Sequence, residues 1–382
     1  MAHNARREDY QRLGLRFIRQ LDSMDSMSAM RSFADFGRRF SQERDKLPQD
    51  DSDRAFYLVT LATDVVDHEL PFATPEKAGE LIARGKSLLD EAISLDPNCF
   101  DAIRMRSSSR LRSVSERVAF LREEEPRVRE ACEKARDEAA AWDEPDRESI
   151  AAELAMRPYQ RWLAAIAEQE LICGRNRASV AACEKLLEVD PTDTSDARFT
   201  LALALAKLED EAGLDELAQR YRTLCPSRGA NDAWLLIARL ALAHRQQKPA
   251  LARTHLAELL HCYPNGAVAL LRQNELPDGE FARLNVQPYS EDELVVALSE
   301  AVVLLQEGNE RSGRGVLGLW LAENTARLRP QAVEEARAVE AQIEAQYGPQ
   351  GQYGSFGQAG APGASGPFGQ PGQPGPQGGE PR

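Results

Sequence analysis

Prolines close helix-like stretches of this chain at a recurring distance, and that spacing limits what the chain can fold into. Pro97, Pro191, Pro226, Pro264 and Pro330 each follow residues with helical apolar periodicity, and the gaps between them are 94, 35, 38 and 66 residues. Proline lacks an amide donor and its ring clashes with the preceding turn, so it ends a helix or starts the next one. Two of the gaps approach the ~34 residues of a helix–turn–helix repeat, and a third is near twice that length. The stretches between are rich in Ala, Leu, Glu and Arg, which favour helix. Runs of the β-branched residues that strands prefer are scarce. The expected fold class is an all-α solenoid of helical repeats.

Local signals divide the chain into four parts. In residues 1–70, Tyr10, Leu13, Phe17, Leu21 and Met24 form one apolar stripe on a helix over 5–24. A second helix is predicted from Met27 to Leu47, stopping before Pro48, and a third from Tyr57 to Leu70, closed by Pro71. The repeats occupy 71–273. Thr74-Pro75-Glu76 is a helix start, with Pro preset for the first helical position, and this helix runs to Leu95. Glu123-Glu124-Glu125-Pro126 predicts a break, and Asp143-Glu144-Pro145-Asp146 a new start. Residues 274–288 read as a loop, and helices at 290–307 and 314–346 complete a third part, 274–347. Ser290 with Glu293 forms a capping box there. Residues 348–382 hold twelve Gly, seven Pro and six Gln, with Gly at every third position from Gly348 to Gly378. A single chain of that composition buries too little apolar surface to offset its ordering entropy, so this tail is expected to be disordered. The Gly-X-Y period leaves a collagen-like trimer as the alternative.

Leu163, Ala167 and Gly174 are followed by Ala181-Ala182. With these positions, the stretch from about 155 to 265 resembles the tetratricopeptide-repeat (TPR) family. Leu187-Glu188-Val189-Asp190-Pro191-Thr192-Asp193 is similar to the end of such a repeat, and Trp234 fits its opening aromatic. Leu186 departs from the pattern, standing where a small residue is usual. The resemblance implies protein binding in a concave groove lined by the first helix of each unit, with no catalytic residue and no defined ligand. Placed in the family's register, the inward positions are Arg161, Ala164, Glu168, Leu171 and Ile172. The next unit gives Asp196, Phe199, Leu203, Ala206 and Lys207, and the third gives Asp232, Leu235, Arg239, Leu242 and Ala243. Of these, Arg161, Glu168, Asp196, Phe199, Lys207, Asp232, Leu235 and Arg239 are the candidate partner-binding residues.

Chemistry-bearing motifs are scarce. There is no P-loop, no dinucleotide-binding glycine loop and no nucleophile elbow. His261 and Cys262 adjoin, but no further ligands follow at zinc spacing, so no metal or cofactor is expected. The acidic runs 123–125, 143–146 and 209–211 read as solvated faces and helix starts. A net charge of −14 repels phosphate backbones and argues against nucleic acid as a partner. No stretch offers the ~18 consecutive apolar residues of a membrane span, and no secretory or transit peptide is recognisable. The six cysteines form no C-x-x-C pair and read as reduced, mostly buried thiols, so the expected location is the cytoplasm. The function these features imply is a non-catalytic scaffold or adaptor that binds a partner protein or peptide in a helical groove. The alternative is a regulatory or accessory module of an enzyme complex, or an enzyme whose site these motifs do not reveal. Oligomeric state is open.

Overall fold

The computed structural model describes residues 4–19, 26–70, 73–139, 145–224, 232–276, 286–309 and 313–347. The tail 348–382, for which disorder is expected, lies outside the described residues, as do Pro71, Cys225, Pro226 and most of the loop expected at 274–288. Helices, turns and short connections make up the described residues, and no strand occurs among them.

The first helices are α1 (Ala5–Arg19), α2 (Ser26–Glu43), α3 (Asp51–Thr63), α4 (Pro75–Leu95) and α5 (Phe100–Arg110). Asp50 caps α3 by accepting from the Asp53 amide, and the Asp53 carboxylate returns the contact to the Asp50 amide. This closes two of the amides that a helix start leaves orphaned. Instead of stopping at Thr63, the backbone continues through one π-helical stretch, Asp64–Glu69. α4 begins at Pro75 and ends at Leu95, as the sequence predicts. Gly85 lets it lie close to Val65 and Val66, and Ala92 is fully buried.

Next come α6 (Val114–Ala139) and α7 (Pro145–Ile172). The break expected at Pro126 is absent, because α6 runs through it. Leu121, Val128 and Cys132 are buried along one face against α7, while Pro126 lies on the exposed side. That apolar seam outweighs the roughly 3 kcal/mol an interior proline costs a helix. The chain breaks instead at 111–113, between α5 and α6.

Three helix pairs follow in series: α7 with α8 (Asn176–Val189), α9 (Ala197–Leu208) with α10 (Glu211–Leu224), and α11 (Ala233–Arg245) with α12 (Pro249–Cys262). Each pair is joined by the same turn. A residue with left-handed backbone ends the first helix: Gly174 at φ 73°, Glu209 at 58° and Gln247 at 56°. The next amide then reaches back five residues, Arg175 to the Glu170 carbonyl, Asp210 to Leu205 and Lys248 to Ala243, at 2.8–3.0 Å. This closing pattern satisfies carbonyls that the helix end would leave open. The first helices neighbour one another, α7 against α9 and α9 against α11.

The chain then passes through the short α13 (Ala267–Leu271) to α14 (Glu291–Glu300), α15 (Val302–Leu305), α16 (Val316–Leu328) and α17 (Pro330–Tyr347). Two helices are expected over 290–346 and four are present. Ala301 interrupts the first, and Arg329 with Pro330 divides the second. The Ser290 hydroxyl accepts from the Glu293 amide as expected, but the Glu293 carboxylate accepts from the Tyr289 amide. One buried apolar cluster extends from Phe100 to Ala332, and smaller clusters lie beneath α1–α5.

Candidate functional site

The structure brings the candidate groove residues onto neighbouring helices but places most of them inside. The Arg161 guanidinium makes two bonds to Asp101 on α5, at 2.6 and 2.5 Å, and a third to Glu8 on α1, at 2.8 Å. Burial alone would raise the Asp101 carboxyl, but Arg161, with Arg104, overrides it and holds the group at about 2. Glu168 is half-buried two turns further along α7, where Leu171 is fully buried. Asp196 is buried at the start of α9, 2.9 Å from Arg198. Phe199 stacks flat on Trp234, with ring centroids 3.7 Å apart. Leu203 and Ala206 are fully buried. Asp232 caps α11 by accepting from the Leu235 amide, and Leu235 is also buried. Arg239, 3.6 Å from Asp215 on α10, is half-buried and shares a shallow groove of about 240 Å³ with Leu242, Leu251 and His255.

Other parts of the same chain cover these helices. α1 packs on α7 through the Glu8–Arg161 pair. α14 packs on α11, and α15 reaches α9. The Trp234 indole donates to Glu300 at 2.6 Å, Lys207 donates to the Val303 carbonyl at 3.2 Å, and Glu307 pairs with both Lys207 and Arg245. Leu294, Leu298, Leu304 and Leu305 of this cover are each at most 3% exposed. These side chains are as deeply buried as Phe199 and Leu235 themselves, so the cover belongs to the same apolar core.

An open surface lies at the far ends of the same helices. A cleft of about 650 Å³ is bounded by Glu209, His244, Arg245, Gln247 and Pro249 on one side. Leu304, Glu307, Gly308, Val316, Leu317 and Trp320 bound it on the other. Two glycines set the second wall. A Cβ on Gly315 would collide with the Glu307 backbone, and one on Gly318 would sit 2.8 Å from the Leu305 carbonyl, so only glycine lets α16 press against the end of α15. The His244 and Trp320 rings meet at 5.3 Å, tilted by 57°. Burial, then neighbouring Arg245, lowers the His244 pKa, so the imidazole is neutral at pH 7. Val316 is 60% exposed at the mouth. Arg245 bridges Glu209 and Glu307, so the charges at the rim are already matched.

Sequence reasoning does not find this cleft. Its walls come from segments some seventy residues apart, and Trp320 carries no periodic signal that separates it from a core residue. The glycines at 308, 313 and 315 register only as a turn. Among the described residues, no three His, Cys, Asp or Glu side chains converge to hold a metal ion. No described helix is long and apolar enough to cross a membrane. No protein-family model matches the chain, and no curated protein matches it.

Proposed function

We propose that the chain is a TPR-like helical-repeat adaptor that binds a protein segment in the cleft between the ends of α9 and α11 and the start of α16. One observation carries the repeat reading. The turns at Gly174, Glu209 and Gln247 share a left-handed residue and one hydrogen-bond pattern, and they are spaced by the same 35 and 38 residues as the closing prolines. Equal spacing of both turn types is what a chain of stacked two-helix units produces. The cleft supports the binding reading, because it sets aromatic and aliphatic surface beside charges that are already paired. A net charge of −14 favours a protein partner over a nucleic acid. The adaptor needs no cofactor and performs no bond chemistry.

The test is a photoreactive residue, Val316→p-benzoylphenylalanine, in the full chain irradiated in the native cell. A discrete protein adduct is expected from this position. It should be missing from the control Lys134→p-benzoylphenylalanine, whose side chain is 77% exposed on α6, far from the cleft in sequence. Equal adducts from both positions would remove the cleft from consideration, as would no adduct from either when position 316 also forms no crosslink within its own chain.

A further inference from the structure

We propose that residues 366–376 of the chain's own C-terminal segment dock in this cleft, as an intramolecular ligand that an external partner must displace. The proposal rests on the reading of the cleft as a docking site for a protein segment, and it names the chemistry of the occupant. His244 and Trp320 make ring contact with each other, and among the described residues neither ring donates a hydrogen bond to a protein group. The cleft therefore offers two ring faces and unused N–H donors. Its carboxylates, Glu209 and Glu307, are engaged by Arg245 and Lys207. A ligand suited to it supplies carbonyl oxygens and flat apolar rings, requires few acceptors in return, and brings no charge to desolvate beside the existing pairs.

Residues 366–376 have that composition. They read Gly-Pro-Phe-Gly-Gln-Pro-Gly-Gln-Pro-Gly-Pro, with no charged side chain. Proline has a carbonyl but no N–H. Proline-rich segments favour an extended polyproline helix, whose low conformational entropy suits docking on aromatic walls. Phe368 adds one apolar anchor.

The tether is long enough. Arg272 donates to the Ala336 carbonyl, and its neighbour Gln273 donates to the carbonyl of Gly318, which follows the lining residue Leu317 on α16. From Ala336 the helix has about 16 Å to run to Tyr347 at 1.5 Å per residue. The eighteen residues from 348 to 365 then add a covalent reach of up to about 60 Å. A tether of this kind holds its ligand at an effective concentration on the order of 1 mM, so even a dissociation constant of about 100 μM leaves the cleft about 90% filled.

The test uses the full chain carrying Phe368→p-benzoylphenylalanine, irradiated at low micromolar concentration and mapped by peptide mass spectrometry. The expected product is a crosslink within one chain, to the peptide bearing His244 or to the one bearing Val316 and Trp320. Val316→Arg should reduce it at least five-fold with helicity unchanged. Pro371→Ser with Pro374→Ser, which leaves the body untouched, should reduce it at least three-fold. Crosslinks elsewhere on the body, crosslinks only between two chains, or a yield indifferent to both variants would overturn the proposal. If Val316→p-benzoylphenylalanine captures an external protein while position 368 gives no cleft crosslink, only the intramolecular ligand is disproved. If neither position reports on the cleft, the docking reading fails with it.

Discussion

Arg161 shows how far a charged residue's role depends on its neighbours. In sequence it reads as a rim charge of a groove, but in the fold it ties α7 to α5 and α1 through Asp101 and Glu8. Breaking a buried pair leaves a charge without compensation and costs on the order of 3–5 kcal/mol. Arg161→Glu is expected to lower the unfolding free energy of the body, read by urea titration, by that amount, whereas Val316→Arg, on an exposed site, should leave it nearly unchanged. The same pair sets an acid limit. Asp101 has a lower pKa folded, about 2, than the ~3.9 of an unfolded aspartate. The stability it contributes is therefore complete above about pH 4 and is lost as pH falls toward 2. The advantage of the wild type over Asp101→Asn should shrink through that window. An advantage that stays constant from pH 5 to 2 would show that Asp101 is not held by Arg161.

At the level of elements, the three hairpin turns use one geometry with three different residues. Glycine adopts the left-handed conformation at Gly174 without strain, while Glu209 and Gln247 carry a side chain there. Gly174→Ala is expected to cost about 1–2 kcal/mol. Gln247→Gly should gain about 0.5–1 kcal/mol, because relief of strain outweighs the added freedom of the unfolded chain. Calorimetric melting of both variants checks the pair, and a Gln247→Gly protein that melts lower would refute the assignment. These turns also show what the sequence can convey. Pro75, Pro191 and Pro264 mark helix boundaries, because proline acts on its own turn whatever surrounds it. Pro126 does not, because its effect is overridden by the packing of Leu121, Val128 and Cys132 on α7. The groove register places its candidate residues on or at the start of α7, α9 and α11, which neighbour one another. What lies on top of them depends on α1 and α14–α15, which are distant in sequence and carry no signal of where they dock. The cleft is equally hidden, since it exists only where α16 closes on the ends of α9 and α11.

At the scale of the whole molecule, one continuous core extends from α5 to α17 and holds Cys132, while Cys99 lies in a smaller cluster with α3 and α4; both thiols should behave as core atoms. Burial pushes Cys99 up to about 12 and Cys132 up to about 11, so neither supplies thiolate at pH 8. Iodoacetamide should spare both in the folded protein and label both in 6 M guanidinium, with peptide mass spectrometry as the readout. Rapid labelling of Cys132 in the native state would mean that α6 opens from α7. The cover formed by α14 and α15 also has a consequence for biosynthesis. Lys207 precedes its partner Val303 by 96 residues. At about 5–20 residues per second, the ribosome needs on the order of 5–20 s to supply the segment that shields α9. For that interval the Leu- and Ala-rich surfaces of α9 and α11 have no lid of their own, and a chaperone bound to the nascent chain is the natural substitute. Stalled translation intermediates ending before residue 300 should be cut readily by protease, and those with residues 291–307 clear of the exit tunnel should resist it.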